Sequence, residues 1–235
     1  MKAIVYTQNG LPIDDPKALV EMELGMPVAG PHDVVVEVRA VSVNPVDTKI
    51  RLGVAVTEPR VLGWDASGVV QSVGDSVTLF APGDEVFYAG SLIRPGSNSQ
   101  FQAVDERIVG KKPRTLGFAE AAALPLTSIT AWELLFDRLR VPEGGGAGKS
   151  LLVIGAAGGV GSILIQLARQ LTGLTVIGSA SRDATREWVT KLGAHHTVDH
   201  TRPMQPQLAE LGFDQVDIVI SLTHTDHHYA DIIEA

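Results

Sequence analysis

Residues 151–171, LLVIGAAGGVGSILIQLARQL, leave this chain few folds to choose from. An apolar five-residue block runs into a turn with glycines at 155, 158, 159 and 161 and then into an apolar helix, so the segment reads strand, tight turn, helix. A hydropathy window would score the uncharged run 150–168 as a membrane span, with a GxxxG pair at Gly155 and Gly159. Four glycines within seven residues at its centre disfavour a continuous helix, and we reject the membrane reading.

The pattern continues in the same style. Strands are expected at 174–179, 196–199 and 216–222, alternating with helices at 183–192, near 205–211 and from 226 to 234. Strand and helix in alternation imply a parallel sheet with right-handed crossovers, a doubly wound Rossmann-type arrangement. The preceding part, to about Leu116, differs in period. KAIVYT at the start, then stretches at 33–43, 67–74, 84–88 and 100–109, alternate apolar and polar residues between Gly and Pro turns, which predicts a small, largely antiparallel barrel or sandwich. Helices are expected at 117–123 and 128–138, and the loop 90–99, GSLIRPGSNS, is expected to be mobile. The domain boundary is placed between residues 124 and 125.

The glycine cluster carries the first chemical signal. Between a strand and a helix, Gly158 permits a diphosphate to approach the backbone, Gly161 permits the helix to pack on the strand, and the helix amino end attracts negative charge. The cofactor-binding segment is Ala156, Ala157, Gly158, Gly159, Val160 and Gly161; Ala156 stands where the common GxGxxG has its first glycine. A dinucleotide fold places an acidic residue at the end of the second strand when it binds NADH. This chain has GSASRDATR there, and the hydroxyls of Ser179 and Ser181 with the guanidinium of Arg182 suit the 2′-phosphate of NADPH. Arg182 reads alternatively as a solvated charge at a helix start, and Asp183 reads as a helix cap. Gly148-Lys149-Ser150 superficially matches a triphosphate loop, but it precedes a strand instead of opening a helix.

Composition narrows the remaining classes. The net charge of −8 opposes binding to nucleic acid and to anionic membranes. The absence of cysteine excludes disulfides, thiolate nucleophiles and thiolate metal sites, so redox chemistry has to come from a cofactor. The start, MKAIVYTQNG, reads as a strand and not as a signal peptide, and a cytoplasmic location is expected. His224, His227 and His228 in SLTHTDHH have metal-capable spacing, but the segment reads as a solvated helix start; His195, His196 and His200 are expected on the surface.

Several segments together resemble the medium-chain dehydrogenase/reductase superfamily, and within it the zinc-free quinone oxidoreductase branch that includes zinc-type alcohol dehydrogenase-like proteins. They are NPVDTKIRLG at 44–53, GWDASGVV at 63–70, PGDEVFYAG at 82–90, AAALPLTSITAWELL at 121–135, the glycine turn, and KLGAHHTVDH at 191–200. The resemblance implies a GroES-like β-barrel catalytic domain over 1–124 and a Rossmann NADP-binding domain over 125–235, incomplete at its carboxyl end. Where zinc-binding members carry a cysteine this chain has Asn44, and where they carry a His-Glu pair it has Trp64 and Asp65, so no metal site is expected. In zinc-free relatives the residues matching Asn44 and Thr130 face nicotinamide and substrate, with Asp47, Trp64 and Tyr88 as further pocket candidates and Leu222 and Thr223 as backbone contacts. Each has a structural alternative: a turn at Asn44-Pro45, back-bonding of Thr130 within its helix, core packing for Trp64.

The resemblance therefore implies hydride transfer from NADPH to a quinone or an α,β-unsaturated carbonyl compound, without zinc. Two alternatives stand beside it, a noncatalytic NADPH-binding sensor or structural protein and a zinc-dependent alcohol dehydrogenase. The chain ends after four strands of a sheet that commonly has six, so it reads as a fragment, a shortened form or a truncated gene product, and the full-length form is expected to be a homodimer.

Overall fold

The computed structural model describes residues 1–235 and divides into two compact units, Met1–Leu126 and Thr127–Ala235. The first unit is built on antiparallel pairing. β1 (Lys2–Tyr6), β2 (Val20–Glu23) and β4 (Arg60–Val61) form a three-stranded sheet in the order β2-β1-β4. β3 (Asp33–Ser42), β5 (Asp65–Val73), β6 (Glu85–Ala89), β7 (Phe101–Asp105) and β8 (Val109–Lys111) form a five-stranded sheet in the order β7-β3-β5-β6-β8. An isolated bridge between Ala3 and Ser99 links the first strand to the loop before β7. The alternation seen in the sequence decides the register, since Val34, Val36, Ala66, Val70, Val86, Tyr88 and Val104 all point into one buried cluster.

The short strands β2, β4 and β8 and the helix α1 (Pro45–Gly53) are absent from the sequence-based expectation. Pro45 looked like a turn residue, yet it occupies the first helical position, where a missing N–H costs nothing and the fixed φ suits a helix. The 90–99 loop also departs from expectation, because it is pinned rather than loose. Arg94 grips the Asp33 carboxylate with two hydrogen bonds of 2.8 and 2.7 Å. Ser97 is fully buried, and the Gly96 backbone lies so close to Leu62 that an added Cβ would come within 2.3 Å of its carbonyl oxygen.

Toward the end of the first unit lies α2 (Phe118–Ala122), whose Phe118 carbonyl accepts the buried Ser67 hydroxyl at 2.6 Å. Pro125 and Leu126 then begin a helix, α3 (Pro125–Trp132), that passes into a π-helical turn at Glu133–Arg138. It starts three residues earlier than the periodicity suggested.

The second unit carries the expected parallel sheet. β9 (Ser150–Ile154), β10 (Thr175–Ser179), β11 (His196–Val198) and β12 (Ile218–Ser221) run parallel in the order β11-β10-β9-β12. Helices α4 (Gly159–Leu171), α5 (Asp183–Lys191), α6 (Met204–Glu210) and α7 (Tyr229–Glu234) follow the strands. β9 is buried on both faces: Leu151 and Val153 belong to a cluster with Leu164, Ile165 and Ala168 of α4, while Leu152 and Ile154 belong to another with Met204 and Leu208 of α6. Adjacent strand residues point to opposite faces, so this division means helices on both sides of the sheet, the doubly wound arrangement. The uncharged run at 150–168 is thus strand, turn and helix, and no helix of the structure is long and apolar enough to cross a membrane. Ser150 opens β9 and is bonded through its amide and hydroxyl to Asp217 just before β12, at the amino end of the sheet, which removes the Gly-Lys-Ser segment from any phosphate-loop role.

Gly68 tests the packing of the first unit. A Cβ there would meet the Glu37 carbonyl oxygen of the neighbouring strand at 2.2 Å. Gly68→Ala is expected to destabilise the protein by about 1–3 kcal/mol, read as a lower urea midpoint with an unchanged slope.

Candidate functional site

The carboxyl ends of the second unit's strands gather the predicted cofactor-binding residues. The chain leaves β9, winds outward through β10 and β11, and then returns to pair β12 on the other side of β9, which makes the β9/β12 junction the topological switch point. Open parallel sheets bind their ligands in the crevice there. Gly155 leaves β9 at φ +81°, and a Cβ on it would stand 3.0 Å from Thr223, which places the glycine turn beside the loop after β12. Gly158 precedes α4 with no side chain capping the helix, so the first-turn amides keep the positive end of the helix dipole available to an anion. A Cβ at Gly158 would meet one atom within 4 Å, the Gly155 carbonyl oxygen at 3.3 Å; one at Gly161 would collide with the Ala156 and Gly155 carbonyls at 2.5 and 2.6 Å. Gly161 therefore serves helix packing, while the backbone at Gly158 stays open to a ligand. Ala156 is fully buried and tolerated because Gly178 across from it lacks a side chain; a Cβ at Gly178 would lie 3.0 Å from that of Ala156. This turn fits the diphosphate of a dinucleotide.

The residues expected to grip a 2′-phosphate separate into two roles. Ser179 is 1% exposed, and its hydroxyl accepts the Gly155 amide at 3.1 Å, so it holds the glycine turn in place. Ser181 is half-buried and Arg182 exposed, immediately before α5. Asp183 is the first residue of the helix and not its cap; the Thr185 hydroxyl meets the Arg182 amide at 3.2 Å instead. Leu222 donates its amide to the Ile154 carbonyl at 3.1 Å, extending the β9–β12 ladder, and Thr223 is exposed just beyond it.

Four of the predicted residues lie in the first unit, and one of them, Asn44, bonds a buried carboxylate, Asp65, that the sequence reading did not single out as a site residue. Asn44 donates its Nδ2 to Asp65 Oδ2 at 2.8 Å, and the Leu126 amide donates to Asp65 Oδ1 at 2.8 Å. Asp47, three residues into α1, accepts the Asn44 backbone amide at 2.8 Å, one half of a capping box. Trp64 sits beside Asp65 in sequence, 1% exposed among Tyr6, Leu62, Val46, Ile50 and Leu126, and its buried indole N–H has no acceptor. Burial raises both carboxyls; it pushes Asp65 up to about 6 against the opposing effect of the Asn44 hydrogen bond, with the nearby Asp47 charge adding to the rise. Tyr88 is different. It lies in the core of the five-stranded sheet with its hydroxyl donated to Gln102 Oε1 at 2.9 Å, and burial raises its phenol. Thr130 lies in α3, in the second unit, partly exposed.

A zinc ion finds no fitting ligand set. No group of three or more His, Cys, Asp or Glu side chains is placed to hold a metal ion. His224, His227 and His228 border a hollow with His200 next to Gly155 and Thr223, and their rings meet in pairs, His224 tilted against His227 and His200 edge-on to His228, at centroid distances of 5.5 and 5.7 Å. His200 is half-buried, not a surface residue as expected, and burial lowers its imidazole.

Asp65 has a thermodynamic consequence. A carboxyl raised from its ordinary value of 3.8 to about 6 binds its proton more tightly when folded, so its contribution is most favourable below pH 4 and is lost as pH climbs through 6. The loss amounts to at most about 3 kcal/mol. The difference in unfolding free energy between the wild type and Asp65→Asn, followed by urea titration from pH 4 to pH 7, is expected to shift against the wild type across that window; a difference that stays flat contradicts the assignment.

Comparison with known proteins agrees with this layout. Residues 30–132 match the alcohol dehydrogenase GroES-like domain and residues 159–235 match the zinc-binding dehydrogenase domain. A zinc-type alcohol dehydrogenase-like protein of Staphylococcus aureus is 47% identical over 204 residues, covering 86% of this chain and 61% of its own length, so the chain spans about three fifths of such relatives. Among solved structures, a Rhizobium etli protein assigned by its name to the zinc-dependent alcohol dehydrogenases is 56% identical with a TM-score of 0.93, over 99% of this chain and 68% of its own. Escherichia coli quinone oxidoreductase, solved in complex with NADPH, is 26% identical with a TM-score of 0.83, over 99% of this chain and 70% of its own. With a glycine turn at the switch point of a parallel sheet and a GroES-like unit ahead of it, the chain belongs to the medium-chain dehydrogenase/reductase superfamily of oxidoreductases.

Proposed function

We propose that the protein is an NADPH-dependent, zinc-independent oxidoreductase that reduces quinones or α,β-unsaturated carbonyl compounds. The observation that carries this reading is the glycine turn, an open backbone at Gly158 leading into an uncapped α4 at the sheet's switch point. Residues 156–161 would hold the diphosphate through backbone amides, Ser181 and Arg182 the 2′-phosphate, and Leu222 and Thr223 the nicotinamide side, with Ser179 acting through the turn it anchors. The quinone oxidoreductase that resembles this chain holds NADPH in its solved structure, which supports the choice of cofactor. When bound, the reduced nicotinamide supplies hydride.

The choice of substrate follows from the residues at hand. A conjugated carbonyl accepts hydride without a Lewis acid, provided that hydrogen-bond donors or water stabilise the developing oxyanion. The donor set around Asn44, Asp47 and Trp64 contains no zinc-type ligands beyond its carboxylates, so simple alcohol oxidation through a metal is the less fitting chemistry. Thr130 in the second unit and Trp64 in the first remain the polar residues that the resemblance implies for this role. Tyr88 would shape the wall from within the core rather than touch substrate. The same reading has a catalytic domain over 1–124, a cofactor domain over 125–235, and a cytoplasmic homodimer.

Loss of NADPH absorbance with a panel of quinones and enones tests the activity. Turnover that survives chelator, in protein with substoichiometric zinc by elemental analysis, is the expected result. Tight NADPH binding with no turnover in a full-length form favours the noncatalytic alternative, and chelator-sensitive activity the zinc-dependent one. For the cofactor, Arg182→Ala is expected to weaken NADPH about tenfold while leaving NADH nearly unchanged, in a fluorescence titration. Equal loss for both would remove Arg182 from the 2′-phosphate site.

A further inference from the structure

Four of the chain's seven histidines meet at one hollow in the second unit. His200 follows β11, and His224, His227 and His228 lie between β12 and α7. The cofactor reading assigns their imidazoles no role. His200 and His228 arrive from different segments, yet their rings stand 78° apart in plane with centroids separated by 5.7 Å. His200 Nδ1 is buried and has no hydrogen-bond partner. A buried polar atom left alone points to an ion or a water that belongs beside it. Burial, with the neighbouring His228 adding to its effect, lowers the His200 imidazole, so the ring is neutral at pH 7 and able to ligate.

Two imidazoles that share a cation, each nitrogen about 2 Å from it, hold their ring centres roughly 5–6 Å apart, and His200 and His228 stand at that spacing. The hollow they border, about 180 Å³, has room for a cation that keeps part of its water shell. We propose that His200 and His228 form an exchangeable site for a divalent transition cation that prefers imidazole, of the Ni²⁺, Cu²⁺ and Zn²⁺ class, with water in the remaining positions. Mg²⁺ and Ca²⁺ take oxygen ligands and do not suit it. Two protein ligands are fewer than the three of a catalytic zinc centre, and no group of three is placed to complete one, so the cation binds reversibly. Its effect is to tie the segment after β11 to the start of α7, a helix of six residues none of which is fully buried.

Ni²⁺ is the probe, because it is inert to redox change and its paramagnetism marks the ligands. Isothermal titration of the whole chain is expected to show one Ni²⁺ site whose affinity falls about ten- to hundredfold in His200→Ala and in His228→Ala and is kept in His32→Ala, a histidine of the first unit. His228 makes no side-chain capping bond to α7, so its removal leaves the helix start intact and serves as the arm that does not depend on the folding of His200→Ala. In wild-type protein, substoichiometric Ni²⁺ is expected to broaden the imidazole NMR signals of His200 and His228 before those of the other five histidines. With Ni²⁺ well above its Kd, hydrogen exchange of the Tyr229–Glu234 amides is expected to slow about tenfold or more, and not to slow in His228→Ala. Wild-type protein that takes up no Ni²⁺, uptake unchanged by His228→Ala, or broadening that begins at any other histidine overturns the site. Exchange in α7 that ignores bound Ni²⁺ overturns the tie.

Discussion

The second unit depends on the close approach of the α4 backbone to the turn that precedes it. At Gly161 a side chain would strike two carbonyl oxygens within 2.6 Å, and the Ser179 hydroxyl ties the Gly155 amide to the end of the next strand. These two contacts bring the helix start over the carboxyl edge of the sheet. The apolar packing of Leu164, Ile165 and Ala168 against β9 then holds α4 in that pose. With a Cβ at Gly161 the helix would stand off, and its amino end would no longer meet the crevice where a ligand's phosphates would sit.

The first unit has a corresponding constraint in Asp65. A carboxylate with no exposed surface is tolerated because both oxygens are hydrogen-bonded, one to a backbone amide and one to a side-chain amide. That arrangement fastens strand β5, the start of α1 and the segment at Leu126 to one another. In family members that bind zinc, the resemblance places metal ligands at these positions; here the same ground is occupied by a network of hydrogen bonds, an apolar Trp64 and a second buried carboxyl, Asp47.

Much of this was legible in the linear order of residues. Period-two alternation located β3, β5, β6 and β7, and the strand-turn-helix signature located β9 and α4, because each burial pattern repeats locally along the chain. What escaped was short or depended on partners far away in sequence. β2 and β4 have too few residues to show a period, and α1 was hidden by Pro45, which reads as a turn until Asp47 is seen holding the Asn44 amide. The 90–99 loop is rich in Gly and Ser, yet Arg94 reaches back 61 residues to Asp33 and fixes it.

The sequence by itself determined the parallel-sheet architecture of the second unit, the antiparallel character of the first, the glycine turn between strand and helix and the lack of a thiolate metal site, since each rests on residue type and local spacing. Only the tertiary structure decided that Ser179 anchors the turn, that Tyr88 commits its hydroxyl to Gln102 in the core, and that Asp65 accepts the Asn44 side-chain amide. These are hydrogen bonds between groups 14 to 24 residues apart, and a buried polar atom takes its role from whichever partner folding brings within about 3 Å.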